Sequence, residues 1–293
     1  MQYKLDEIYN PDLSETHLYF YAGGTYHAGG VNVEDAADYL IEHGVPDEGV
    51  YPDPHRAFDY PFESLDGWEN RAVKISNWSW IEKDVEVMKE ALIEYGPLVF
   101  LMSIYQDFYS YKSGVYRHEW GPRVGGHVMT IVGYDDNQEC WICKNSWGRR
   151  WGDNGWFKLA YDADLFATWY GNHSGVMYIK GIYGNLKPDV PKVQIVNPVF
   201  KHSYIFGKEF RILFKKLPVQ KAVARIYGSI KVKVETNNTD RVEFYIDGEK
   251  RFDDTVEPYI WTLDSKIGLH TLKVVAFNNQ NKSIDLLDYF KFF

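Results

Sequence analysis

Two polar residues stand out for the chemistry their spacing would allow. His127 follows Gly125 and Gly126 and opens an apolar run, Val128-Met129-Thr130-Ile131-Val132-Gly133-Tyr134. Asn145 closes a second run, Cys140-Trp141-Ile142-Cys143-Lys144, and is followed by Ser146-Trp147-Gly148. Both runs have the length of buried strands, and the polar turn over 135–138 predicts a hairpin. Closing that hairpin with Tyr134 opposite Gln138 sets His127 opposite Asn145; closing it on Glu139 sets His127 opposite Ser146. Directly opposed Cβ atoms lie about 4.5–5.5 Å apart, so the first register brings an Asn–His hydrogen bond within reach. An amide oxygen accepting from one imidazole N–H fixes the ring's orientation and tautomer. The other ring nitrogen is then free to act on a nucleophile. Trp147, just beyond, would cover the pair and keep water from it, which strengthens the bond.

The elements that must position this pair are legible around it. The stretch 32–44 reads as a helix, with Asn32 as N-cap, acids in the first turn and Gly44 as its stop. Val33, Ala36, Ala37, Leu40 and Ile41 form its apolar stripe. A second helix is predicted over 81–95, ended by Gly96-Pro97, and Leu98-Val99-Phe100-Leu101-Met102 follows as a buried strand. Strands at 128–134, 139–144 and 155–159 complete an α+β pattern, helices first and strands later. Residues 46–61 hold four prolines and read as irregular surface chain.

The motif then extends as Lys144-Asn145-Ser146-Trp147-Gly148-x-x-Trp151-Gly152-x-x-Gly155-Trp156. With Gly125-Gly126-His127 it resembles the histidine and asparagine blocks of papain-like cysteine peptidases. Weaker likenesses run upstream: Leu13-Ser14-Glu15, Ala28-Gly29-Gly30, Glu48-x-x-Tyr51-Pro52, Gly96-Pro97 and Asp107-Phe108-x-x-Tyr111-x-x-Gly114-Val115-Tyr116. The resemblance covers roughly residues 10–160. It implies catalytic roles for His127 and Asn145, shielding by Trp147, and a substrate cleft bordered by Gly29, Gly30 and Gly126. In that family the nucleophile is a cysteine at the head of a long helix, preceded by an oxyanion-binding glutamine. That block would lie upstream of the first residues here, so the expectation is a peptidase domain without its N-terminal central helix. Residues 2–8 would be the tail of that helix.

The chain has two cysteines, Cys140 and Cys143. Their strand setting predicts buried structural thiols on opposite faces, rather than a nucleophile, a redox pair or a metal site.

Beyond Pro188-Asp189-Val190-Pro191 the texture changes. Residues 230–235, 241–247, 259–263 and 269–277 alternate apolar and polar positions, with Asp247-Gly248 as a hairpin turn. This stretch resembles the Ig-like modules appended to secreted prokaryotic enzymes. The expected organisation is a peptidase domain over 1–182, a linker over 183–192 and an all-β Ig-like sandwich over 193–293. Residues 1–182 carry net negative charge and residues 183–293 net positive charge, for a total of −9.

That balance gives no basic footprint for nucleic acid, and no apolar run approaches the ~18–20 residues of a membrane span. At 45% hydrophobic and 25% charged residues the chain is globular in composition. No cofactor and no metal are expected. The function implied is peptide-bond cleavage by Cys–His–Asn catalysis on peptide or protein substrates, represented here by its His/Asn half. This chain is expected to be inactive alone. The alternative is a catalytically inactive peptide- or surface-binding protein. The setting implied is extracellular or at the cell surface, with contact there through the Ig-like module and a signal peptide upstream.

Overall fold

A computed structural model describes residues 12–25, 30–52, 67–167, 174–184, 190–210, 223–279 and 281–293. The chain divides into two compact units. One is residues Ile75–Ile182; the other joins Met1–Lys74 to Tyr183–Phe293. The expected helix tail at 2–8 and residues 185–189 of the expected linker lie outside the described residues.

The unit Ile75–Ile182 is built on a seven-stranded sheet. Its strands run in the order Asn77–Trp80, Val176–Lys180, Leu98–Tyr105, Arg123–Asp135, Cys140–Lys144, Trp156–Ala160 and Val115–Tyr116. Only the last pairing is parallel. A helix, here α3 (Val85–Tyr95), buries Met88, Ala91 and Leu92 in a core shared with Leu98, Phe100, Ile131 and Phe157. This helix starts later than the periodicity predicts. The Ile81 N–H instead donates to Val176 O at the sheet edge (3.0 Å), and the Asp84 carboxylate caps the N–H groups of Glu86 and Val87.

In the second unit, α1 (Glu15–Tyr21) is capped by Ser14 and α2 (Val33–Glu42) by Asn32, whose Oδ1 accepts from Glu34 N–H at 2.9 Å. The stop falls at Gly44, with φ +81°. A Cβ there would meet Val73 O at 2.7 Å, so both the left-handed backbone and the close approach require glycine. Tyr183–Phe293 contributes two sheets. One has three strands (Lys192–Asn197, Lys231–Asn237, Ile260–Thr262) and the other seven, with Gly268–Asn278 and Asn281–Lys291 pairing along their full length. Ile195, Val232 and Val234 of the small sheet share one core with Phe244, Val274 and Tyr289 of the large one, which makes a two-sheet sandwich. Asp247 and Gly248 both take positive φ (51° and 84°), the primed turn expected for an Asp-Gly hairpin.

The N-terminal helical part and the sandwich are tied within this unit. The Arg71 guanidinium donates to the Asp47 carboxylate, to Lys282 O (2.7 Å) and to Ser283 Oγ (3.3 Å). Ile284 N–H donates to Gly49 O at 2.8 Å. Among the described residues, no helix is long and apolar enough to cross a membrane.

Candidate active site

The histidine strand (Arg123–Asp135) and the asparagine strand (Cys140–Lys144) are neighbours in the sheet, as the alternation of apolar residues requires. Their register is neither of the two expected. Asp135 pairs with Cys140 and Tyr134 with Trp141, so the turn holds four residues, 136–139. A bulge between Ile131 and Gly133 then shifts the pairing, and Thr130 faces Lys144. Continued by one step, this register aims Met129 at Asn145, with His127 two residues further along the same face. Asn145 is therefore a diagonal partner, within reach of a long side chain. Its own backbone leaves the histidine strand, and its N–H donates to Gly155 O at 2.9 Å.

The side chains still meet. His127 Nε2 lies 2.9 Å from Asn145 Oδ1, and Ser146 N–H donates to the same oxygen at 2.7 Å. A peptide N–H pointing at that atom identifies it as the amide oxygen. The imidazole must then donate from Nε2, which leaves Nδ1 as the basic nitrogen. Asn145 is only 7% exposed, and among the described residues its Nδ2 has no hydrogen-bond partner. Burial lowers the His127 pKa below the ordinary histidine value, partly offset by the bond to Asn145.

Trp147 stacks on the imidazole with ring centres 5.2 Å apart and planes 25° from parallel. The indole is held in turn. Phe108 and Trp151 meet it edge-on at 5.5 and 5.2 Å, and Tyr109 stacks on it at 5.0 Å with a 10° tilt. Phe108 and Tyr109 come from the 3-10 turn Gln106–Ser110. Asp107 on that turn is 7% exposed and accepts from Tyr116 OH (2.8 Å), Glu119 N–H (2.8 Å), Trp120 N–H (3.2 Å) and His118 Nδ1 (3.1 Å). Burial alone would raise the Asp107 pKa; these donors outweigh it and hold the carboxyl down to about 2.

The expected site residues thus separate into groups. His127, Asn145 and Trp147 are brought together. Gly126 is exposed on the same strand, opposite Ser103. Gly30 belongs to the other unit, is exposed, and would offer a Cβ nothing within 4 Å. Gly29 lies outside the described residues. Cys140 and Cys143 are free thiols buried in the asparagine strand, and burial raises both pKa values. The sequence reading missed Tyr109 and the bonding of Asp107; the only signal for either was the Asp107-Phe108 step within the wider likeness. Among the described residues no group of three or more His, Cys, Asp or Glu could hold a metal ion.

Comparison with known proteins bears on this geometry directly. Residues 3–179 match the model of the family described as papain family cysteine protease. The chain belongs to the papain family of cysteine proteases. Cathepsin B-like CP2 of Giardia intestinalis is 44% identical over 79 residues, 26% of this chain and 26% of that protein. Cathepsin B-like cysteine proteinase 4 of Caenorhabditis elegans is 38% identical over 81 residues, 27% of this chain and 24% of that one. The matched stretch thus spans about a quarter of these curated papain-family relatives. Among solved structures, the digestive procathepsin L2 proteinase of the Tenebrio molitor larval midgut superposes with a TM-score of 0.50. The identity is 24%, over 61% of this chain and 56% of that one, a likeness of fold.

Proposed function

We propose that this papain-family chain supplies the histidine–asparagine half of a peptidase centre that cleaves peptide bonds through a cysteine thiolate. The observation that carries the reading is the 2.9 Å contact of His127 Nε2 with Asn145 Oδ1, which presents Nδ1 as the base. In that centre Nδ1 takes the thiol proton, and the thiolate attacks the scissile carbonyl. The tetrahedral adduct then collapses to a thioester as His127 returns the proton to the leaving amine. Water, deprotonated by Nδ1, attacks the thioester carbonyl; the C–S bond breaks, the acid leaves, and the proton on Nδ1 returns to the departing thiolate. Asn145 keeps the ring in one tautomer throughout, and Trp147 excludes water from the bond that does so. Gly126 would stand behind the scissile bond, where bare backbone lets an extended peptide approach.

The thiolate comes from neither cysteine of this sequence. Cys140 and Cys143 are buried, and their raised pKa values keep them as thiols. The nucleophile is therefore contributed by residues outside these 293, and the chain by itself is inactive. The same burial favours a second reading, a peptide- or surface-binding protein that does not cut. Residues 193–293 are read as an Ig-like module joined through 183–192 to a peptidase domain over 1–182. Extracellular or cell-surface placement, with cell-surface contact through that module, completes the proposal.

A fluorogenic peptide assay tests it. The 293-residue chain should read background. A longer chain carrying the residues encoded immediately upstream should hydrolyse the peptide, be blocked by a thiol-alkylating inhibitor, and lose turnover in His127→Ala and, less completely, in Asn145→Ala. Hydrolysis by the 293-residue chain itself, or by the longer chain regardless of His127→Ala, would sink the reading. Peptide binding without turnover by the longer chain would establish the second.

A further inference from the structure

The indole of Trp147 is gripped by two different kinds of neighbour. Phe108 and Trp151 are buried, 0% and 8% exposed, and their edge-on contacts belong to the core of the unit. Tyr109 is 57% exposed, yet its ring lies almost parallel to the indole at 5.0 Å. Core packing does not require an exposed ring at that place. What holds it there is the backbone beneath. The turn Gln106–Ser110 is fastened by the four donors that converge on Asp107, by Gln106 N–H to Pro122 O (3.1 Å), and by Trp151 Nε1–H to Phe108 O (3.2 Å). Tyr109 is thus presented by a rigid mount to the ring that stacks on His127.

The geometry points to Tyr109 as a positioning residue for His127, acting through Trp147 by clipping the indole over the Nε2–H···Oδ1 bond. This rests on the reading of His127 as the base. Without the clip the indole keeps its stack on the imidazole and its edge contacts with Phe108 and Trp151. Its outer face is then uncovered, and water gains access to the Asn–His bond. With the clip, the tautomer that exposes Nδ1 is kept whether or not substrate is present. The side chain therefore sets how well the base is prepared, and touches no reacting atom.

The test needs no nucleophile. The 293-residue chain, with histidine nitrogens labelled by 15N, is titrated by NMR as wild type, Tyr109→Phe and Tyr109→Ala. The tautomer, the titration midpoint and the Nε2–H exchange rate of His127 are followed in each. Tyr109→Phe should match the wild type, because the flat ring remains. In Tyr109→Ala the midpoint should move upward toward that of an ordinary histidine, because burial is what depresses it. Nε2–H exchange should become about 2- to 12-fold faster, the range expected from losing one aromatic pair. The melting temperature should stay near that of the wild type. Identical His127 behaviour in Tyr109→Ala and wild type overturns the inference. So does a Tyr109→Ala chain whose near-ultraviolet circular dichroism collapses, since Tyr109 would then be a core residue. An upstream-extended chain that fails to hydrolyse peptides would remove the proposed function while leaving this result in place.

Discussion

Replacing Asp107 by Asn tests how the site is mounted. Its carboxylate accepts from Tyr116 OH and His118 Nδ1 on one side and from two peptide N–H groups, of Glu119 and Trp120, on the other. An amide keeps one accepting oxygen and turns two N–H donors toward groups that are themselves donors. The drop in pKa from 3.8 to about 2 corresponds to about 2.5 kcal/mol at 1.36 kcal/mol per unit. Solvent screening through its partly exposed partner His118 trims it to ~2 kcal/mol. At about 2–4 °C per kcal/mol for a chain of this size, Asp107→Asn should melt about 4–8 °C below wild type at pH 7. The pH dependence has a fixed sign. A carboxyl whose folded pKa is depressed stabilises fully above its unfolded value, here 3.8, and loses that contribution as pH falls through about 2. The gap between variant and wild type should therefore close between pH 4 and pH 2. Thermal melts followed by near-ultraviolet circular dichroism, which reports the packing of the aromatic side chains as a whole, read both effects. No gap at pH 7, or an equal gap near pH 2, would refute the argument that charge on Asp107 fastens the turn.

Two further outcomes follow from the other unit. His17 is fully buried among Tyr21, Tyr39, Tyr51 and Trp68; among the described residues neither ring nitrogen has a hydrogen-bond partner, and burial lowers its pKa to about 4. A histidine held neutral stabilises fully above its unfolded value of 6.5 and loses this as pH falls through about 4. Wild type should thus lose about 3 kcal/mol relative to His17→Phe across that window, measured by urea unfolding. Arg71→Met strands the Asp47 carboxylate and Lys282 O; it should cost about 2–3 kcal/mol and speed amide exchange at Ile284, whose N–H is bonded to Gly49 O. Unchanged Ile284 exchange would show that the sandwich is held by other contacts.

Local features were legible from the residue types alone. Asn32 and Gly44 bound α2 because capping and left-handed backbone are properties of single residues, and Asp247-Gly248 turns a hairpin for the same reason. The apolar runs on either side of 135–139 specified two adjacent strands, and the residue types around His127 and Asn145 specified their chemistry. Register was not legible, because it depends on a four-residue turn and a bulge at Ile131–Gly133 that alternation does not encode. That Tyr109 meets Trp147, that Asp107 gathers donors from the stretch 116–120, and that Arg71 reaches Lys282 and Ser283 emerged only with the packed fold. Each of these joins residues from different elements of the chain, and no local rule constrains such distances. Their closeness is set by how whole elements pack, which is where a single sequence stops being readable residue by residue.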